Sequence, residues 1–334
     1  MRLARTTLPG HPDKASDLVA EAIVDEYLRR DPATRIALNV AGGHGALFIS
    51  GDVSSEADFD VASLVRRTLG SLGVMDEMEP FVSIENVVAE QLPLFASGFE
   101  LPVIATGYAS SETPELIPSI MLSAKRIAKA LEERRQHDAD WFWLGADAEV
   151  AVQDNGREPM DVRIFLEHGA KPLVEVRKSV ESAVHSILSD ARVHVNELGA
   201  HEIRGLAHRS GASGKDRMPY GSLLPSVSSG IGRDIRHAEK AGSWLMRSAA
   251  RKLVQNGAKA ALVQATYVPG ELVPSRVTAR DERGTDLSSK IDRASLSLER
   301  IAKEWWRPGL NADAARWGFA GESGLPWETD TSPA

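Results

Sequence analysis

The sequence predicts an α+β protein made of three similar units. Pairs of strand-like segments recur near Ile36, Asp147 and Ala260, a spacing of about 110 residues. Amphipathic helix patterns accompany each pair, and the 334 residues are 43% hydrophobic and 26% charged, as in folded proteins with a substantial core. We therefore expect three units in a pseudo-threefold arrangement, with helices on one face of mixed or antiparallel sheets.

In the first unit, helix-period and alternating patterns predict two helices and three strands. Apolar side chains recur at helical spacing behind a GHPDK sequence, and Asp31-Pro32 ends that helix. A glycine-rich turn, residues 42–45, joins two strands into a hairpin. The predicted elements are helix 13–30, strands 36–40 and 46–53, helix 59–72 and strand 81–88.

A similar order of elements recurs twice. The second unit is predicted to hold helix 114–135, strands 147–153 and 160–166, and helix 173–188, and the third to hold helix 236–255, strands 261–268 and 276–280, and helix 287–306. The predicted unit boundaries are 1–98, 99–204 and 205–334. True triplication is one interpretation, and the ordinary alternation of elements in α+β proteins is the other.

Composition excludes several classes of protein. A net charge of −8 argues against broad nucleic-acid binding, which needs a basic face. Without cysteine there is no disulfide, thiolate nucleophile or zinc-thiolate site, so any metal would bind through oxygen or imidazole. The N-terminal residues lack an apolar signal segment, and no run of about 18 apolar residues occurs. We expect a cytoplasmic protein that binds neither nucleic acid nor membrane.

The GHPDK sequence, residues 10–14, combines features of an anion site and a metal site at a helix start. Pro12 suits the first helical position because its missing N–H would have no partner there, and His11 would then be the cap. Free N–H groups and the positive helix end attract an anion such as a polyphosphate. Asp13 could hold a divalent cation and Lys14 could add positive charge. The alternative is a helix start whose polar residues carry no chemistry.

Two irregular segments interrupt the units, at residues 90–100 and 205–233. The second is rich in glycine, serine, arginine and lysine, so its backbone N–H groups and basic side chains could wrap an anion. The alternative interpretation of this segment is a disordered linker.

Four further segments accompany GHPDK: GDVSS at 51–55, TGYA at 106–109, GRDIRHAEK at 232–240 and LPWE at 325–328. Together with the order of elements in three units, these segments resemble the S-adenosylmethionine synthetases over nearly the whole chain. GRDIRHAEK matches the family's GKDPTKVDR, and LPWE matches its FPWE. The glycine-rich segment, with GASGK at 211–215, is closer to the archaeal branch of that family.

The resemblance implies an ATP-dependent, Mg²⁺-dependent transferase that forms a homodimer with active sites between subunits. Methionine sulfur would attack C5′ of ATP and expel triphosphate, which is then hydrolysed. By position, the resemblance implies catalytic roles for His11, Lys215 and Arg233, nucleotide or phosphate contacts for Lys14, Asp147, His237 and Arg209, amino-acid contacts for Asp52, Gln91 and Glu100, and Mg²⁺ ligands in Asp13 and Glu239.

The sequence departs from the family pattern at several positions. The family's GDQG is missing before TGYA, and Glu100 is the candidate substitute. The family's RPDAK reads GADAE, so the acid Glu149 replaces a phosphate-contacting lysine. Because expelling triphosphate requires cations at the leaving oxygens, we expect Arg209 or Arg217 to compensate. Asn39 stands where many bacterial members place a potassium-binding glutamate, so a K⁺ requirement is left open.

Three functions stay open at this stage. The first is methionine adenosylation, the second uses the same fold with another nucleophile or nucleotide, and the third is a non-catalytic nucleotide-binding or regulatory homologue. Individual residues also have simpler interpretations: solvated charge for Lys215 and Arg233, a surface ion pair for Glu239, and turn formation for Asp52.

Overall fold

The computed structural model describes residues 1–74, 78–88, 99–156, 160–200, 205–224 and 227–329. Within these ranges the chain forms seven α-helices and eleven strands. The helices are α1 (Pro12–Arg30), α2 (Val61–Ser71), α3 (Ser119–His137), α4 (Leu173–His185), α5 (Ala238–Gln255), α6 (Leu298–Glu304) and α7 (Leu310–Arg316). The strands are β1 (Arg2–Thr7), β2 (Arg35–Gly43), β3 (Ala46–Ser54), β4 (Glu79–Asn86), β5 (Val103–Ser110), β6 (Leu144–Asp154), β7 (Asp161–His168), β8 (Arg192–Val195), β9 (Gly211–Ala212), β10 (Ala260–Tyr267) and β11 (Arg276–Asp281).

The described strands form three sheets, with the orders β4-β3-β2-β9, β1-β6-β7-β8 and β11-β10-β5. The first two sheets are mixed, because β4 pairs parallel to β3 and β8 pairs parallel to β7. The third is antiparallel. The predicted fold class, α+β with mixed or antiparallel sheets, is confirmed.

Three strands pair across the predicted unit boundaries. β1 lies at the start of the chain but pairs with β6, with Arg5 opposite Ala151 in register. β5 lies in the range 99–204 but pairs along its whole length with β10. β9 lies in the range 205–334 but pairs with β2. Each of the three sheets therefore draws strands from two of the predicted ranges, and the boundaries themselves stay a prediction.

One predicted element is wrong in its extent. The segment 287–306 is not one helix, because two short 3₁₀ turns, Ser288–Lys290 and Arg293–Leu296, precede α6. The Asp292 carboxylate accepts the N–H of Ala294 (3.0 Å), and the Asp286 carboxylate accepts that of Ser288 (2.8 Å). Such local side-chain bonds to the backbone compete with a continuous helix.

Helix α1 lies in the interior, and one of its faces is charged. Lys14, Asp17, Glu21 and Asp25 recur at helical spacing, and all four are buried. The Glu21 carboxylate pairs with the Lys240 ammonium of α5 at 2.6 Å, with both side chains 1% exposed. The Asp25 carboxylate accepts N–H groups at the start of α7. These buried polar contacts tie α1 to α5 and α7 and so fix the orientation of the GHPDK end.

We expect Asp17→Asn to remove part of the pH dependence of stability. Burial raises the pKa of Asp17 from 3.8 to about 6. Between these values the folded chain holds a proton that the unfolded chain has lost, so the free energy of unfolding falls as pH rises, by at most about 3 kcal/mol. Asparagine keeps an acceptor for the Gly214 N–H, now 2.7 Å from Asp17 Oδ1, but does not ionise.

Urea denaturation at several pH values between about 4 and about 7 measures this effect. The wild-type midpoint should fall more steeply with pH than that of the Asp17→Asn variant. The control is Asp190→Asn, whose side chain is exposed, and it should keep the wild-type slope. If the urea midpoints of Asp17→Asn and of the wild type fall equally steeply with pH, the prediction is refuted.

Candidate active site

A first group of charged side chains surrounds the N-terminus of α1. His11 caps the helix as predicted: its Nδ1 accepts the N–H of Asp13 at 3.3 Å, and Pro12 occupies the first turn. Burial lowers the pKa of His11, which is 5% exposed. A neutral ring whose Nδ1 accepts a hydrogen bond carries its proton on Nε2. His11 therefore presents an N–H donor rather than a charge.

The glycine-rich segment packs directly against this helix start. A Cβ on Gly211 would lie 2.2 Å from the carbonyl group of Pro12, so only glycine allows this approach. The next N–H, that of Ala212, donates to Asp13 Oδ1 at 3.0 Å, and the Lys215 ammonium lies 3.4 Å from the same oxygen. In the described part, 205–224 and 227–233, this segment is therefore part of the packed structure rather than a disordered linker.

Asp147 and Arg209 complete the predicted part of this group. The Asp147 carboxylate is fully buried and accepts the Gly205 N–H at 3.0 Å and Arg209 Nη1 at 2.9 Å. Arg209 is 40% exposed on its other side. The charges of Asp147, Arg209, Asp13 and Glu149 all act on His11.

Arg5 and Asp216, which sequence reasoning did not single out, also belong here, together with Glu149. Arg5 Nη1 lies 3.7 Å from Glu149 Oε1, and Arg5 Nη2 lies 3.9 Å from Asp216 Oδ1. Strand alternation could have placed Arg5 on one face of a strand, but only the pairing of β1 with β6 shows which acids share that face. The first cluster is the set His11, Asp13, Asp147, Glu149, Asp216, Arg5, Arg209 and Lys215.

A second cluster lines a cleft of about 300 Å³ between the start of α5 and the segment before β5. His237 caps α5 by accepting the Glu239 N–H at Nδ1 (3.2 Å), and its ring meets the edge of the Phe99 ring. Burial lowers the pKa of His237 to about 4. Glu100 and the apolar residues 101–103 form the facing wall.

Arg233 lines the same cleft, and Asp52 lies on the strand next to it. Arg233 forms a β-bridge with Ala37, and its guanidinium donates to the carbonyl oxygen of Leu38 at 2.8 Å. Ala37 lines the cleft and lies opposite Asp52 in the β2–β3 register. The second cluster is the set Asp52, Glu100, Arg233, His237 and Glu239.

The two clusters lie at different points of β2. The glycine-rich strand β9 pairs at Ala41, whereas Arg233 bridges Ala37, so these anchor points are about 13 Å apart at the usual rise of a strand. The predicted Mg²⁺ ligands Asp13 and Glu239 thus belong to different clusters of one chain.

Among the described residues, one predicted site residue, Lys14, belongs to neither cluster. The Lys14 ammonium is directed into the core, where it donates to the Ala315 carbonyl oxygen at 3.0 Å and lies 3.6 Å from Asp17. Lys14 is therefore not available to an anion at the helix start. Gln91 lies outside the described residues.

Both predicted metal ligands offer the hard oxygen donors that Mg²⁺ prefers. Asp13 Oδ2 and the Glu239 carboxylate accept no hydrogen bond within the described ranges, so they are open to a cation. The same ranges contain no group of three or more His, Asp or Glu side chains able to hold a metal by themselves. The donor set therefore fits a cation that is also held by phosphate oxygens or by a second copy of the chain.

At the level of class, three mixed or antiparallel sheets with helix-capping histidines in two charged clusters define an α+β protein with a charged candidate site. Residues 4–93 match the family model of the S-adenosylmethionine synthetase N-terminal domain. Among the helices of the described ranges, none combines the length and the apolar content needed to cross a membrane.

Relatives extend the likeness beyond that domain. The S-adenosylmethionine synthase of Aquifex aeolicus is 25% identical over 361 residues, which cover 98% of this chain and 96% of the relative. That of Thermus thermophilus is 24% identical over 370 residues, covering 96% and 93%. An unusual S-adenosylmethionine synthetase from Campylobacter jejuni has the same fold, with a TM-score of 0.83 and 22% identity over 98% of this chain and 97% of its own.

The chain is therefore similar to the S-adenosylmethionine synthetases over nearly its whole length, as its motifs predicted. The prediction of an adenosyltransferase-like enzyme is confirmed, because these relatives are named as S-adenosylmethionine synthases.

Proposed function

We propose that this protein transfers the adenosyl group of ATP to the sulfur of methionine and releases triphosphate, which it then hydrolyses. The observation that carries the proposal is the first cluster, where a helix N-terminus, a neutral His11 and three cations meet four carboxylates. Helix N-termini and cations are the groups that bind and stabilise phosphate oxygens.

The reaction needs charge stabilisation more than proton transfer. A sulfur lone pair forms the new bond to C5′ while the C5′–oxygen bond breaks, and its electron pair leaves with the triphosphate. A thioether has no proton to lose, so no general base is required. His11 Nε2–H and Arg209 would donate to the phosphate oxygens on which negative charge develops.

The charge balance of the first cluster explains why a divalent cation is needed. Four carboxylates (Asp13, Asp147, Glu149 and Asp216) face three cations (Arg5, Arg209 and Lys215). This excess of negative charge would repel a bare polyphosphate. Mg²⁺, when bound by Asp13 and Glu239, would neutralise phosphate charge and stabilise the leaving oxygens. A requirement for K⁺ stays a prediction.

We further propose that two copies of the chain share each active site. Two of the residues that we expect to contact the amino acid, Asp52 and Glu100, belong to the second cluster together with one Mg²⁺ ligand, whereas the His11 donor belongs to the first. A C₂ dimer brings complementary faces of two copies together, so the first cluster of one protomer can meet the second cluster of its partner. We infer a cytoplasmic homodimer, in agreement with the composition.

If the protein adenosylates methionine, incubation of the purified protein with ATP, Mg²⁺ and methionine should yield S-adenosylmethionine and phosphate. Mass spectrometry would detect both products. His11→Asn should lower turnover on the order of a hundredfold or more, because it removes a donor to the leaving group. Asparagine still caps the helix, so stability should change little. Product formed equally fast by the His11→Asn variant would contradict the proposed role of His11.

A second candidate keeps the triphosphate site and changes the nucleophile. The cleft of the second cluster favours it, because in the described wall segment 99–103 the residues 101–103 are Leu-Pro-Val and Glu100 is the one carboxylate. Triphosphate release with another thioether or an amine, and no product with methionine, would support this function. Nucleotide binding without turnover for any nucleophile would instead support the non-catalytic homologue.

A further inference from the structure

Arg5 on β1 has a guanidinium that donates no hydrogen bond within the described ranges. It lies between two carboxylates, Glu149 at 3.7 Å and Asp216 at 3.9 Å, and both distances exceed hydrogen-bond length. Within the described ranges its side chain donates no hydrogen bond, and its Nε is buried without a partner. Buried donors of this kind are rare and require an explanation.

Arg2, three residues earlier on the same strand, shows the contrasting case. Its guanidinium donates twice to Glu112, at 2.7 and 2.8 Å, and once to Asp154 at 2.7 Å. Arg2 is therefore satisfied by the protein itself, whereas Arg5 is held in place by charge alone.

The residues around Arg5 indicate which ligand its N–H groups could bind. Glu149 acts electrostatically on His11, and Asp216 directly follows Lys215, which faces Asp13. Arg5 thus lies on the border of the site where we propose that triphosphate is released. Arg5 is therefore a cation that faces the acidic side of this site at Glu149.

We propose that Arg5 binds the polyphosphate chain of the nucleotide and that Glu149 and Asp216 hold its guanidinium ready for this contact. On binding, the guanidinium exchanges two loose ion pairs for direct hydrogen bonds to phosphate oxygens, a geometry that arginine matches in bidentate fashion. This inference rests on the proposed function and adds a phosphate-binding residue to it.

The test measures binding of Mg²⁺-tripolyphosphate by isothermal titration calorimetry. Arg5→Met should weaken binding on the order of tenfold, because charge-assisted hydrogen bonds are lost. Arg5→Lys keeps the charge without the planar fork and should fall between Arg5→Met and the wild type. The matched control, Arg2→Met, removes an arginine from the same strand and should leave the affinity unchanged within about twofold.

The outcomes separate this inference from the function on which it rests. If Arg5→Met and Arg2→Met both bind Mg²⁺-tripolyphosphate as tightly as the wild type does, the role of Arg5 is overturned and the triphosphate site remains. Failure of the wild type to bind Mg²⁺-tripolyphosphate would overturn both. If Arg5→Met does not fold, a wild-type affinity in Arg5→Lys would still overturn the bidentate contact.

Discussion

Arg247→Met is expected to lower the free energy of unfolding by about 3–5 kcal/mol, because it breaks a buried ion pair from one side. Arg247 is fully buried in α5 and donates to both carboxylate oxygens of Glu328, at 2.7 and 2.9 Å. It also donates to the carbonyl oxygens of Tyr108, Leu116 and Glu115 at 2.8, 2.8 and 2.9 Å. Methionine fills part of the space but leaves these acceptors buried and without this donor.

The same contact fastens the C-terminal LPWE segment to the core. Trp327 stacks on Trp244 with ring centroids 4.0 Å apart, and Glu328 next to it closes the pair with Arg247. Loss of Arg247 therefore loosens the third sheet and the C-terminal segment together.

Urea denaturation monitored by tryptophan fluorescence tests this prediction. The control is Arg300→Met, which breaks an exposed ion pair to Glu304 (2.7 Å) and should change the free energy of unfolding by less than about 1 kcal/mol. A change for Arg247→Met no larger than that of the control would show that the buried pair adds nothing to stability.

Mixing two inactive variants is expected to restore activity. If each active site combines the first cluster of one protomer with the second cluster of its partner, His11→Asn and His237→Asn damage opposite halves of the site. In a mixed dimer one site then carries both substitutions and the other carries none. Each mixed dimer should therefore regain about half of the wild-type activity.

The two variants are matched, because both histidines cap a helix through Nδ1 and asparagine replaces that acceptor. Mixed dimers would be obtained by co-expression with two different affinity tags, and the doubly tagged dimers assayed for adenosyl transfer. The control carries both substitutions in one chain and is paired with the wild type. Isolated mixed dimers as inactive as either parent would contradict sharing of sites between protomers and would leave the reaction itself open.

Local signals in the sequence were sufficient for the first helix and the first hairpin. The prediction that His11 caps α1 and Pro12 opens it is confirmed, because capping depends only on residues within one turn. The β2–β3 hairpin is confirmed for a similar reason, since a glycine-rich turn directly connects its strands.

Long-range pairing was not predictable in the same way. The alternation of β1 tells which side chains share a face, but not that its neighbour is β6, more than 130 residues away. The Arg5–Glu149 contact depends on that pairing and could not be inferred earlier. Lys14 shows the reverse case: the motif predicted a phosphate contact, but packing against α7 directs its ammonium to the Ala315 carbonyl oxygen.

By itself, the sequence determined the class of fold, the likeness to the S-adenosylmethionine synthetases and the chemical types of the site residues. Those features depend on residue identity and short-range periodicity, which a chain carries along its length. Only the tertiary structure divided the site residues into two clusters, whose anchor points on β2 are about 13 Å apart, because strand register sets such distances. It also decided which cations form hydrogen bonds inside the core, as Lys14 does, and which form only long ion pairs, as Arg5 does.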